Sequence, residues 1–191
     1  MRTAKFKKLF YLLIVVGIFI LAAPYTARVY QLNQRYPSAQ TITGTQNAPI
    51  TWNGLKIELL NGELVPQESF FSAYEVIASS IFSDSLAEQY AIFSVAITKL
   101  EENESQNHFY LDYCGAEKDG WKNLISPELF QALNPNAKQV SQMSVGETQN
   151  FLLAIGLHQA AFTKQNWKNV RIDQLSLVLS IYPEKISLQY T

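Results

Sequence analysis

The sequence predicts a mostly β protein: an antiparallel β-sandwich with short helices, preceded by one N-terminal transmembrane helix. Three observations lead to this prediction. An uncharged stretch, Leu9–Ala27, follows a basic start. Beyond residue 50, apolar and polar residues alternate in several short runs, which is the two-residue period of strands. Turn-forming residues separate these runs, as they do in sandwiches.

The N-terminal stretch is long enough to cross a bilayer. As a helix, its 19 residues span roughly 28 Å, and the hydrocarbon core is about 30 Å thick. Lys5, Lys7 and Lys8 precede it, so the positive-inside rule places the N-terminus in the cytoplasm and the remainder outside. The alternative is a cleaved signal peptide, with secretion of the domain. Pro24 directly after Ala23 is a poor context for cleavage, which favours a retained anchor.

These features divide the chain into four segments. In chain order they are a cytoplasmic basic segment (1–8), the transmembrane helix (9–27), a juxtamembrane tether (28–49) and an extracytoplasmic β-sandwich domain (50–191). Arg28–Gln34 can continue the helix, but Pro37 limits it because proline lacks an N–H and clashes with the preceding turn. Ser38–Pro49 is rich in Thr, Ser, Gln and Asn and predicts either a tether or an irregular first strand.

The domain opens with a predicted meander over Ile50–Val65. Asn-Gly is the strongest short hairpin signal, and it occurs at Asn53-Gly54 and again at Asn61-Gly62. Ser69–Phe82 then places aromatic and aliphatic residues at spacings of three and four. This spacing predicts a helix with Ser69 as its N-cap.

The middle of the domain predicts two strands and a helix. Tyr90–Leu100 alternates as a central strand, and His108–Cys114 returns as a second strand after a polar turn. Ser126-Pro127-Glu128 supplies an N-cap, a proline at N1 and an acid near the positive end of the helix dipole. This combination predicts a short helix that ends near Asn134-Pro135.

The last third of the domain predicts four more elements. Val145-Gly146-Glu147 is a turn into a strand whose apolar residues alternate from Phe151 to Leu157. Thr163–Val170 predicts one or two helical turns. Alternation resumes over Leu175–Ile181. A terminal run with Ile186, Leu188 and Tyr190 follows Pro183, and the nearby proline predicts a strand at a sheet edge.

The order of these pieces resembles a known kind of protein. The pieces are the hairpin TWNGLKIELLNGELV, the strand YAIFSVAITKL, the helix SPELFQALNP, the turn and strand SVGETQNFLLAIGL and the ending LSLVLSIYPEKISLQY. Together they resemble membrane-anchored extracytoplasmic proteins of Gram-positive bacteria with a telokin-like, immunoglobulin-like domain. The resemblance covers roughly residues 49–190. It implies an immunoglobulin-like sandwich and a role in adhesion, substrate binding or transporter assistance, and it brings no catalytic residues.

Charge argues against nucleic acid as a partner. Four of the 15 Lys and Arg residues precede the apolar stretch, which leaves 11 against 16 Asp and Glu residues in the remainder. A domain with this balance has no basic stripe to follow a phosphate backbone.

No catalytic, metal or cofactor motif stands out in the sequence. His108 and His158 are too few and too far apart for a zinc site. Cys114 is interpreted as a small buried apolar group rather than a nucleophile. Glu101, Glu102 and Glu104 lack the ligand spacing of a calcium loop and are interpreted as a solvated turn.

Aromatic residues are the remaining functional signal. Tyr110, Tyr113, Trp121 and Trp167 fall in or near loops and strand edges, and aromatics are enriched at recognition surfaces, although they also fill cores. We therefore predict a non-enzymatic binding or accessory module, held in the bilayer by Leu9–Ala27, that engages another envelope or transporter protein. Two alternatives stay open: an envelope hydrolase with a spatially assembled site, and a small-ligand-binding surface protein with an apolar cavity.

Overall fold

The computed structural model describes residues 2–76, 87–103, 110–111, 114–118 and 120–191; in the first helix, the side chains described are those of residues 17, 18, 20 and 22 onward. The chain forms two compact units, Met1–Ala39 and Gln40–Thr191. The first contains one helix, α1 (Arg2–Arg35), which stops before the limit set by Pro37. Among the described residues, no helix has a stretch both long and apolar enough to cross a membrane.

The second unit is mostly β, with short helices, as predicted. Its described strands are β1 (Gln40–Thr45), β2 (Ile50–Trp52), β3 (Leu55–Pro66), β4 (Gln89–Lys99), β5 (Gly115–Lys118), β6 (Trp121–Leu124), β7 (Thr148–Leu157), β8 (Ser176–Ser180) and β9 (Glu184–Gln189). Its described α-helices are α2 (Gln67–Ala73), α3 (Pro127–Leu133) and α4 (Lys164–Lys168). The strands form a five-stranded sheet, β1-β9-β8-β5-β6, and a four-stranded sheet, β2-β3-β4-β7.

One hydrophobic core lies between the two sheets. The inward residues of β4 include Phe93, Val95 and Ile97, in the alternation that the sequence predicts. From the other sheet, β8 and β9 contribute Leu177 and Ile186, among others, to the same cluster. The sheets therefore pack face to face in a sandwich-like arrangement.

A second, smaller cluster covers the outer face of the four-stranded sheet. Phe70 of α2 stacks on Tyr90 of β4, with ring centroids 4.1 Å apart, and Leu129 of α3 is buried in the same cluster. Strand β4 is consequently buried on both faces. This burial explains why Tyr90–Phe93 is a continuous apolar run rather than an alternating one.

One of the two predicted Asn-Gly turns is present. Asn53 and Gly54 both have positive φ, 49° and 74°, and they connect β2 to β3. The turn predicted at Asn61-Gly62 is wrong, because these residues lie inside β3, next to a bulge in its pairing with β4. Gly62 has a packing reason instead: a Cβ there would lie 3.0 Å from Ile172 and 3.1 Å from the Tyr190 ring.

Two further predictions need correction. Helix α2 begins at Gln67 and ends at Ala73, so Ser69 lies inside it rather than at its N-cap, and residues 77–86 lie outside the described part of the chain. Of the strand predicted at 108–114, only residues 110, 111 and 114 are described, and they do not form a strand. Extended pairing begins one residue later, at Gly115, which pairs with β8 and with Leu124.

Several local signals are confirmed. The Ser126 hydroxyl accepts a hydrogen bond from Leu129 N–H at 3.3 Å and caps α3, with Pro127 at its first position. Gly146 has a positive φ of 85° in the turn before β7. The region predicted as one or two helical turns contains α4, which Thr163 caps.

Strand β9 is not at an edge, contrary to the prediction. It pairs in parallel with β1 and antiparallel with β8. Pro183 precedes the strand, so it removes no N–H from either ladder. The segment left open as tether or first strand thus contains β1. The run predicted through Ile181 ends at Ser180, and Ile181 is exposed.

The open edges of the two sheets are joined or covered. Thr45, at the end of β1, forms two backbone hydrogen bonds with Ala48 just before β2. Across the other side, the Asn123 amide of β6 donates to Gly156 O of β7 at 2.7 Å. The Asn134 amide bonds both Leu152 N–H and Leu152 O, at 2.9 and 2.8 Å, and so replaces a neighbouring strand. These contacts protect β7 from pairing with another chain.

Candidate functional site

Trp121, Phe162 and Trp167 form an aromatic cluster beside the five-stranded sheet. Trp121 opens β6, and the other two rings come from the segment between β7 and β8. The Phe162 ring centroid lies 4.9 Å from that of Trp121 and 5.6 Å from that of Trp167. All three side chains are half-buried against the main core. The cluster therefore has a fixed base and an outer surface in contact with solvent.

The start of α4 explains how this cluster forms. The Thr163 hydroxyl accepts a hydrogen bond from Asn166 N–H at 3.2 Å, which makes Thr163 the N-cap. Phe162 then stands just before the cap and Trp167 at the fourth helical position. Contact between residues at these two positions is the hydrophobic staple, which fixes the direction of the chain as it enters a helix.

Two lysines of α4 lie next to residues of the aromatic cluster in the chain. Lys164 and Lys168 are exposed on α4 and form no ion pair with a described residue. Lys122 follows Trp121 on β6 and therefore faces the other side of the sheet, in register with Glu117; partial burial lowers the pKa of its ammonium group. An aromatic centre with a polar, charged rim is the usual anatomy of a protein-binding surface.

Tyr110 lies elsewhere, at the mouth of a cavity beside α3. The cavity has a volume of about 530 Å³. Its apolar wall includes the rings of Phe130 and Phe151, which stack with centroids 6.3 Å apart. Gln131 and Gln139 supply amide groups to the lining. A space of this size and composition suits a small molecule with a flat apolar part and polar substituents.

The charges beside this cavity are already paired. Lys138 lines it, and its ammonium group donates to Glu147 Oε1 at 2.7 Å. That hydrogen bond, together with one from Ser144 N–H, holds the pKa of Glu147 below its ordinary range. The cavity accordingly suits an uncharged ligand better than an anion.

The structure brings together two of the four predicted aromatic residues. Trp121 and Trp167 share one cluster, Tyr110 lines the separate cavity, and Tyr113 lies outside the described residues. Sequence reasoning missed Phe162, which joins the two tryptophans. Its position just before a capping threonine, five residues before Trp167, is the signal that could have found it.

The histidine and cysteine candidates are not brought into a reactive arrangement in the described residues. Cys114 is fully buried in the core, and its thiol lies 3.9 Å from Leu179 O. A buried thiol in apolar surroundings is a structural group rather than a nucleophile. His158 Nδ1 is 3.8 Å from Glu88 Oε2 at the surface, and His108 lies outside the described residues.

The predicted acidic turn is partly described. Glu102 pairs with Lys99, whose ammonium group lies 2.8 Å from its carboxylate, and Glu104 is outside the described residues. No group of three or more His, Cys, Asp or Glu side chains in the described ranges could hold a metal ion.

Comparisons with known proteins add one distant similarity. No protein-family model matches the sequence, and no curated protein matches it. The chain is similar to MPT63, a secreted protein of Mycobacterium tuberculosis with a crystal structure at 1.5 Å resolution. The TM-score is 0.48 and the sequence identity 13%, over 80% of this chain and 99% of that one. At this distance, what the present chain does must be argued from its own residues.

Proposed function

We propose that the protein is a non-enzymatic binding module, anchored in the cell membrane by α1, whose domain outside the cytoplasm engages another envelope or transporter protein. The observation that carries this proposal is the aromatic cluster of Trp121, Phe162 and Trp167. Aromatic anchors with a buried base and a charged rim dominate the binding energy of many protein interfaces.

Support for the anchor comes from the sequence. Eleven of the first 13 residues of Leu9–Ala27 are Leu, Ile, Val or Phe, and no charge interrupts the stretch. At about 0.3–0.6 kcal/mol each, these side chains favour insertion by roughly 3–7 kcal/mol. The basic residues that precede the stretch favour a cytoplasmic N-terminus. A cleaved, secreted form would leave the domain on the same side of the membrane.

Support for an immunoglobulin-like sandwich comes from the second unit. Two sheets of five and four strands enclose one core, and all described strand pairs except β1–β9 are antiparallel. The protected sheet edges favour recognition by side chains over strand addition by a partner. This preference again points to the aromatic cluster as the recognition surface.

Site-specific photocrosslinking in intact membranes tests the proposed interface. A benzoylphenylalanine at Lys168, beside Trp167, should give a covalent adduct with one partner protein. The same probe at Leu60, an exposed apolar position on β3, is the matched control and should give no such adduct. Trp167→Ala should abolish the adduct from position 168. Identical adducts from both positions, or an adduct that survives Trp121→Ala and Trp167→Ala together, would refute the proposed interface.

A second candidate function is binding of an uncharged small ligand in the cavity beside α3. The two stacked phenylalanines and the nearby amides favour it. Benzamide is a suitable probe because it combines a ring with an amide. Saturation-transfer NMR should detect its binding, and Gln131→Trp should abolish it by filling the cavity. Asn150→Trp, at an exposed position on β7, should leave binding intact. Equal binding by both variants would rule out this site.

A further inference from the structure

Three turns meet at the end of the second unit where β3 begins and β4 ends. Leu100 N–H donates to Gly54 O at 2.8 Å, which ties the residues after β4 to the β2–β3 turn. Gly146 N–H donates to Lys99 O at 2.7 Å, which adds the turn before β7. These backbone hydrogen bonds make the three turns one rigid edge.

The β8–β9 turn joins this end from the other sheet. The Trp52 indole, next to the β2–β3 turn, donates to Glu184 Oε2 at 2.9 Å. Glu184 also pairs with Gln40, the first residue of β1. The chain therefore enters the second unit at this same end. Gln40 pairs with Glu184, which follows the exposed residues Ile181 and Tyr182 by only two positions.

Exposed apolar side chains collect at this end. The second unit has seven exposed large apolar side chains among its described residues, and four of them lie on these turns. They are Leu100, Val145, Ile181 and Tyr182, exposed by 44%, 53%, 59% and 66%. We call these four residues the basal rim. The aromatic cluster lies at the opposite ends of β7 and β8, and β7 alone, with 10 residues, is roughly 33 Å long.

The charges around the basal rim largely cancel. Lys99 pairs with Glu102, and Lys138 with Glu147. Glu101, exposed next to Leu100, and Glu184, which accepts from the Trp52 indole, are further acidic side chains at this end. A surface with this balance has no attraction for anionic lipid heads, so only its apolar and aromatic side chains favour a lipid surface. Tyrosine is one of the residues enriched at the boundary between lipid and water.

The short connection between α1 and β1 limits how far this end of the second unit can be from the bilayer. Only residues 36–39 separate Arg35 from Gln40, and five extended residue steps span about 18 Å at most. The helix runs eight residues beyond Ala27, which adds about 12 Å. If Leu9–Ala27 spans the bilayer, Gln40 lies within about 30 Å of its hydrocarbon core.

From these observations we infer that the basal rim rests on the bilayer itself, with Ile181 and Tyr182 in the headgroup layer. This inference depends on the proposed membrane anchor and adds an orientation to it. The domain would stand on its basal rim and present the aromatic cluster away from the lipid, towards a partner protein.

Lipid-quenching fluorescence of the full chain in phosphatidylcholine nanodiscs tests the inference. An NBD fluorophore on Val145→Cys should be quenched by lipids that carry a nitroxide near the headgroup; the native Cys114 is fully buried. The same fluorophore on Lys164→Cys, beside the aromatic cluster, should be quenched several-fold less. Replacing part of the phosphatidylcholine with phosphatidylglycerol should not increase the quenching at position 145.

Matched variants and a probe in α1 distinguish a failure of the docking of the rim from a failure of the membrane anchor. The pair Ile181→Ser and Tyr182→Ser should reduce quenching at position 145 to the level of position 164, whereas Leu60→Ser should not change it. A probe on Ile18→Cys reports the anchor. Quenching at 18 without quenching at 145 would overturn the docking of the rim and leave the anchor intact; a protein in the membrane would then be the better candidate for its occupant. No quenching at either position would overturn the anchor as well.

Discussion

Among the described glycines of the second unit, Gly115 has the least room for a side chain. A Cβ at this residue would lie 2.2 Å from Asn123 O, a backbone atom of the neighbouring strand. At Gly62 the nearest atoms, at 3.0–3.2 Å, belong to side chains that can shift. We expect Gly115→Ala to lower the free energy of unfolding by about 2–3 kcal/mol, and Gly62→Ala by about 1 kcal/mol. Denaturant unfolding measures both, and an equal or smaller loss at Gly115 would contradict this account.

The local sequence around Gly62 does not predict the role of this residue in the fold. The pair Asn61-Gly62 has the sequence of a hairpin turn, yet its glycine makes room for Tyr190, near the C-terminus. That contact depends on β9 and β3 lying in facing sheets, which no local pattern contains. Cys114 is the opposite case, because its type and isolation already indicated a buried apolar group.

At the scale of elements, Asn134 is the side chain that completes β7. Asn134→Ala should leave Leu152 N–H and Leu152 O without these partners in a partly buried place. We expect the free energy of unfolding to fall by about 1–3 kcal/mol. Asn136→Ala, two residues away and exposed, is the control and should change it by less than about 0.5 kcal/mol. Similar losses in the two variants would show that Asn134 does not support the strand.

Glu147, in the turn before β7, should make the free energy of unfolding depend on pH in the acid range. A hydrogen bond from Lys138, then one from Ser144 N–H, lowers the pKa of Glu147 in the folded state below its ordinary 4.5. The stabilisation that Glu147 gives the folded state is therefore complete above pH 4.5, and it is lost as the pH falls through the lowered pKa. The stability difference between the wild type and Glu147→Gln should shrink accordingly in unfolding measured across the acid range.

A matched background checks the cause of this acid dependence. With Lys138→Met, the stability difference caused by Glu147→Gln should be smaller and should vary less with pH, because only the hydrogen bond from Ser144 N–H and the nearby charge of Lys99 then lower the pKa of Glu147. An unchanged pH profile in that background would show that Lys138 is not responsible.

Elements with local signals could be predicted from sequence, and elements defined by distant pairing could not. Ser126, Asn53-Gly54 and Gly146 act within a few residues of themselves, so their sequence context contains the whole interaction. The central position of β9 requires β1, from the other end of the chain, to pair beside it. Pro183 next to the strand predicts an edge position, and no local pattern indicates the pairing with β1.

At the scale of the whole molecule, the candidate site could be predicted in part. Trp121 and Trp167 stand out in the sequence as aromatics near loops, and both rings contact that of Phe162 in the fold. Tyr110 stands out for the same reason but lines the separate cavity beside α3. Residue type indicated which side chains suit recognition, whereas their grouping depends on how the β7–β8 connection folds back on β6.

The proposed function requires that the domain is held in the membrane and faces away from the cytoplasm. The most direct test is labelling of Lys164→Cys with a membrane-impermeant maleimide in intact bacterial cells that produce the full chain, followed by an alkaline wash of their membranes. We expect labelling before lysis and recovery of the labelled chain in the washed membranes. Labelling only after lysis, or recovery of the chain in the soluble fraction, would contradict it.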